Sequence, residues 1–117
     1  MIASVVPKLP YIKKQQTIDF YAGKLRFTLK SDYGDYLIMA LNSVELHFFS
    51  YSDLEPAKSD FMIYLRVDKD IETVYEQFQT DGIEIHPNAR LDNKPWGQKE
   101  FAIIDPNGTL LTFGQPY

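Results

Sequence analysis

The chain has 117 residues, enough for one compact domain that buries roughly two-thirds of its unfolded surface. Hydrophobic residues at 44% and charged residues at 24% are ordinary globular usage and exclude a disordered chain. A net charge of −4 argues against nucleic acid, which needs clustered Lys and Arg, and suits a cationic small molecule.

The absence of cysteine removes disulfides, thiolate nucleophiles and Cys-ligated metal. No apolar run approaches the ~20 residues that cross a bilayer, so no membrane partner is expected. The first residues lack the basic flank and apolar core of a signal peptide, which makes the cytoplasm the expected compartment.

The segment "IASVVPKLPY" reads as a first strand, confined to an edge or an exchanged position because Pro7 and Pro10 each lack a backbone donor. From Lys14, "KQQTIDFYAGKL" sets Ile18, Tyr21, Ala22 and Leu25 at helical spacing. Then "RFTLKSDY", "DYLIMAL" and "VELHFFSY" predict three strands, separated by Gly34 and by Asn42-Ser43. After the polar loop "SDLEPAKSD" the order returns as strand "FMIYLRV", helix "DIETVYEQFQTDG", and strands "IEIHPNARL", "KEFAIID" and "TLLTFGQ". Asp70 is placed to cap the second helix and Gly82 to end it. The turn "DPNG" is structural, since Pro presets one angle and Asn and Gly accept positive φ.

The order is βαβββ twice, and residues match as well. "NSVELHF" from Asn42 lies over "NGTLLTF" from Asn107, and "VVPKLPY" from Val5 lies over "FMIYLRV" from Phe61. The fold class predicted is α+β, two βαβββ units of residues 1–56 and 57–117 within one domain, with curved, partly open mixed sheets. The divide falls near Glu55 to Ser59. A sheet covered by one helix hides one face only, so the other needs its twin, a partner or a ligand.

The lone Trp96 stands between Pro95 and Gly97, just before a strand. It either plugs the hairpin or is held out for a ligand, and the bracketing residues favour the second. His86, beside Pro87, reads as strand-end surface. Glu45 and His47 share one face of their strand by period two, and Phe49 shares it with them.

The unit order, the helix phrase "TIDFYAGKLRF", "VELHFF" and above all "PWGQKEFAIIDPNGTLLTF" resemble the vicinal oxygen chelate superfamily, and within it the bleomycin-resistance branch. The resemblance spans nearly the whole chain. It implies that Trp96 stacks on a flat heterocycle and that Tyr36 is a second groove aromatic, with Glu45, His47 and Phe49 as further ligand-binding candidates. Trp96 is then expected to be partly exposed and to face Tyr36 or Phe49 across a cleft.

Enzymes of that superfamily hold a divalent metal with side chains from four strands. Here the four positions offer Val6, Met62, Thr112 and either Glu45 or His47, too few ligands for a metal, so neither metal nor other cofactor is expected. The resemblance thus implies a non-enzymatic protein that sequesters a bleomycin-like glycopeptide or another planar cation, with no catalytic residue. It also implies a homodimer whose first strand is exchanged. The competing reading is a metal-dependent glyoxalase- or dioxygenase-type enzyme of the same superfamily. A third is a domain whose groove serves a protein partner.

Overall fold

A computed structural model describes the chain from Met1 to Tyr117. Strand β1 (Lys8–Tyr11) leads into helix α1 (Lys14–Ile18), which continues as a π-helical stretch over Asp19–Lys24. Strands β2 (Thr28–Asp32), β3 (Tyr36–Leu41) and β4 (Val44–Ser50) follow. After a 3₁₀ turn at Pro56–Lys58 come β5 (Met62–Arg66), helix α2 (Ile71–Thr80), β6 (Asp92–Asn93), β7 (Gln98–Ile104) and β8 (Leu110–Pro116).

The strands form two four-stranded mixed sheets, in the orders β1-β4-β3-β2 and β5-β8-β7-β6. In each, the strand before the helix pairs in parallel with the last strand, and the remaining pairs are antiparallel. Leu9 lies opposite Phe48 in one sheet and Leu65 opposite Phe113 in the other, the pairs that the internal sequence match aligns. The fold is α+β. No helix is long and apolar enough to cross a membrane.

Alternation along the strands sends one face of each sheet inward. Leu37, Met39, Leu46 and Phe48 are buried from the first sheet, and Phe101, Ile103, Leu111 and Phe113 from the second. On α2, Ile71, Val74, Tyr75 and Phe78 recur at helical spacing and meet this face. Phe78 packs edge-on to Phe101 and Phe113, with ring centroids 5.6 and 5.1 Å apart. In the first unit Tyr21 does the same on Phe48 at 4.7 Å.

The two halves are joined through α1 and the β7–β8 turn. The fully buried Asn107 accepts from the Ile12 N–H through Oδ1 (2.9 Å) and donates through Nδ2 to Thr17 Oγ1 (3.1 Å). Beside it the Tyr21 hydroxyl donates to Asp105 Oδ2 at 2.6 Å, while Asp105 Oδ1 accepts from the Asn107 and Thr109 N–H groups. Burial, aided by the Asp105 carboxylate, pushes the Tyr21 phenol well above its ordinary range and keeps it a donor. The "DPNG" segment is thus an interdomain-like clamp as well as a turn.

Four expectations are corrected. The first strand begins only at Lys8, and Met1 to Pro7 form no element, because Pro7 has no N–H to extend the ladder. The first helix does not stay α-helical. Its last turn is π-helical, with the Leu25 N–H reaching the Phe20 carbonyl, so Thr17, Tyr21 and Leu25 form the buried edge rather than Ile18 and Ala22.

Asp70 does occupy the α2 N-cap position but makes no side-chain cap. Its backbone is left-handed (φ 61°), and the Ile71 N–H is satisfied by Gln115 Oε1 at 2.9 Å. Finally, "IEIHPNARL" is not a strand. Pro87 breaks its ladder, leaving two isolated bonds, His86 N–H to the Ala102 carbonyl and Ala102 N–H to the Ala89 carbonyl, before the two-residue β6.

Candidate ligand-binding site

The faces of the two sheets turned away from the helices carry the candidate residues. On the first, Glu45, His47 and Phe49 of β4 lie beside Ala40, Ile38 and Tyr36 of β3. Tyr36 Oη lies 2.7 Å from His47 Nδ1, and His47 Nε2 lies 2.6 Å from Glu45 Oε2. A neutral imidazole protonated on Nε2 serves both contacts, accepting from the phenol and donating to the carboxylate. The Lys8 ammonium sits over the Tyr36 ring, 5.4 Å from its centroid. Phe49 turns to Tyr51 and Phe61 instead, with centroids 6.3 and 6.1 Å away.

Trp96 belongs to the other sheet. Lys94 to Gly97 form a tight turn closed by the Gly97 N–H on the Lys94 carbonyl (3.1 Å). Pro95 sets its first corner and Gly97 takes φ 82°, a conformation that a β-carbon would strain. The C-terminal Tyr117 pins this turn, donating from its hydroxyl to the Lys94 carbonyl and from its N–H to the Gly97 carbonyl. The indole is 63% exposed, so it is no hairpin plug. Its Nε1–H donates to Glu100 Oε2 at 2.8 Å.

Glu100 was not legible as a site residue, yet it organises this face. Its Oε2 also accepts from the Tyr64 hydroxyl at 2.7 Å. Tyr64 reaches it by lying across β8 at Gly114, where any β-carbon would collide with the phenol. Burial, with the hydrogen bond from Tyr64 to Glu100, pushes the Tyr64 phenol up to about 12, so it stays a donor at neutral pH. Trp96, Glu100, His86, Ala102, Leu110 and Thr112 line a cavity of about 260 Å³. His86, expected at a strand-end surface, lines the same cavity as the indole. A sequence signal existed: Glu100, Ala102 and Ile104 share one face of β7 by period two, so a lone carboxylate stands among apolar neighbours there.

Within one chain, then, Trp96 faces neither Tyr36 nor Phe49. The structure brings Tyr36, His47 and Glu45 together and places Trp96 in a separate cluster with Glu100 and Tyr64. A larger groove of about 620 Å³ runs between the halves, lined by Leu25, Phe27, Val44, Leu65 and Phe78, and includes none of these groups.

The donor set does not fit the divalent metal of the superfamily's enzymes. Val6, Met62 and Thr112 supply no good ligand, Glu45 and His47 are engaged with each other, and no three His, Asp or Glu side chains converge.

Residues 10–113 match the family described as the Glyoxalase/Bleomycin resistance protein/Dioxygenase superfamily. A bleomycin resistance protein of Klebsiella pneumoniae is 30% identical over 116 residues, covering 95% of this chain and 90% of the relative. One from Geobacillus stearothermophilus is 28% identical over 125 residues, 94% of each. The crystal structure of a bleomycin-binding protein complexed with bleomycin superposes with a TM-score of 0.87 at 29% identity, covering 99% of this chain and 100% of that one. With a matched family spanning most of its length and a fold that superposes end to end, this chain belongs to the Glyoxalase/Bleomycin resistance protein/Dioxygenase superfamily.

Proposed function

We propose that the protein is a non-enzymatic binder that sequesters a flat, cationic compound of bleomycin-like chemistry in two grooves, each shared between two copies of the chain. The observation that carries this reading is Trp96. An indole fixed by its turn, by Tyr117 and by Glu100, yet left mostly exposed on an uncovered sheet face, is an aromatic platform without a partner. Stacking on such a platform adds about 0.5–1.5 kcal/mol beyond area burial. Relatives over the full length that are named for bleomycin resistance or solved with bleomycin agree with that use.

A second copy is part of the proposal for a physical reason. Both sheet faces lack a cover, and Met62, Tyr64 and Ile104 stand exposed on the second. An unpaired face of this kind marks an interaction surface. Setting the first sheet of one copy against the second sheet of another brings Tyr36, Glu45, His47 and Phe49 opposite Trp96. The N-terminal arm, with Ile2 and Val5 exposed, leaves β1 at Pro7 and is free to exchange onto the partner.

Gel filtration with light scattering tests both parts. It should return twice the 13.6 kDa chain mass, with metal-free bleomycin co-eluting. A monomer mass from which the drug separates refutes the shared groove.

A further inference from the structure

Resting on the binding reading above, we propose that Glu100 receives the positive charge of the ligand while Trp96 stacks on the adjoining ring, so that the site selects a planar cation over a neutral ring of the same shape.

The carboxylate is unusual in three respects. It is only 7% exposed, and the chain's five ion pairs do not include it, although Lys94 lines the same cavity. The chain thus offers this carboxylate no positive partner, and a ligand cation would supply a charge-assisted hydrogen bond. Both of its hydrogen bonds fall on Oε2, from Tyr64 and Trp96, leaving Oε1 with no donor on the wall of the 260 Å³ cavity. Finally, Asp92 stands directly opposite Glu100 on β6, and facing residues of paired strands share a face. Like charges so placed weaken a sheet, and together they concentrate negative potential on this face.

Geometry supplies the selectivity. One donor to Glu100 Oε2 is the indole N–H itself, at 2.8 Å, so the carboxylate stands at the edge of the Trp96 ring. A fused ring lying on the indole brings a protonated nitrogen at its edge toward that carboxylate. A neutral ring would gain the stacking and leave the charge unpaired.

The test uses 9-aminoacridine, a planar cation, and acridone, a neutral ring system of similar size, titrated by probe fluorescence. The wild type should prefer 9-aminoacridine, and Glu100→Gln should weaken it by about tenfold or more, as for loss of a charged hydrogen bond, while leaving acridone unchanged. Should Glu100→Gln fail to fold, the wild type decides alone: it must bind 9-aminoacridine more tightly than acridone, and equal affinities overturn the proposal.

Equal binding of both probes by wild type and Glu100→Gln, or equal weakening of both, would reduce Glu100 to a prop for the indole and overturn the proposal. Bleomycin binding with no preference for the cationic probe overturns it too and leaves the binding reading standing. Selective 9-aminoacridine binding without bleomycin binding supports it and removes the glycopeptide from the reading.

Discussion

Replacing Asn107 with alanine should lower stability by about 2–6 kcal/mol, a large fraction of the marginal stability of an ordinary domain. The side chain is fully buried and joins the halves through two hydrogen bonds, one from the Ile12 N–H and one to Thr17 Oγ1. Truncation leaves the buried Thr17 hydroxyl and the part-buried Ile12 N–H without these partners, each costing about 1–3 kcal/mol. Asn107→Asp keeps the acceptor for Ile12, loses the donor to Thr17, and adds a charge near the Asp105 carboxylate, so it should be no better than alanine. Asp105 needs no further neighbour of that kind, since burial already pushes its carboxyl above the usual range. Urea melts of both variants measure the effect. A change in midpoint within error would show that the turn is not the tie between the halves.

Trp96→Ala should behave in the opposite way. The ring is mostly exposed, so its loss removes little burial, and the melting midpoint should move by less than the equivalent of ~1 kcal/mol. Affinity for metal-free bleomycin should instead fall by about 1–3 kcal/mol, the range for truncating an aromatic anchor, roughly five- to more than a hundredfold. Calorimetry on variant and wild type separates the two quantities. Lost stability with unchanged affinity would make the indole a structural side chain.

The contrast between these residues follows what the sequence made legible. Strand periodicity in "VELHFFS" and "FAII" exposed which side chains face inward, and the match of "NSVELHF" to "NGTLLTF" exposed the doubled sheet, because both depend on local spacing. Asn107 looked like a turn residue and no more. Its role depends on Ile12 and Thr17, 95 and 90 residues away, and no local pattern reports such a contact.

The first helix misled for a related reason. Its π-helical end shifts the buried edge by a residue, and tertiary packing of Tyr21 against Phe48 and Asp105 decides that shift. In "IEIHPNARL", apolar alternation outweighed Pro87 in the reading, whereas in the fold the missing N–H prevailed.

The site was half legible. Trp96 announced itself by its brackets, and Glu45, His47 and Tyr36 by the resemblance and by period two. Glu100 and Tyr64 did not, since their meeting needs β5 and β7 to flank β8 and needs Gly114 to leave room beneath the phenol. That the Tyr36 cluster lies apart from Trp96 in one chain is a matter of topology, which the phrase "PWGQKEF" cannot carry.

Trp96 is the chain's single tryptophan, so its own fluorescence reports whether the indole is a ligand platform. Metal-free bleomycin should be titrated into the wild-type protein while the indole emission is followed. The emission should change saturably, reaching a plateau at one drug molecule per chain. Emission that stays constant to a large excess of drug, on protein that melts cooperatively, would show that the drug does not stack on Trp96.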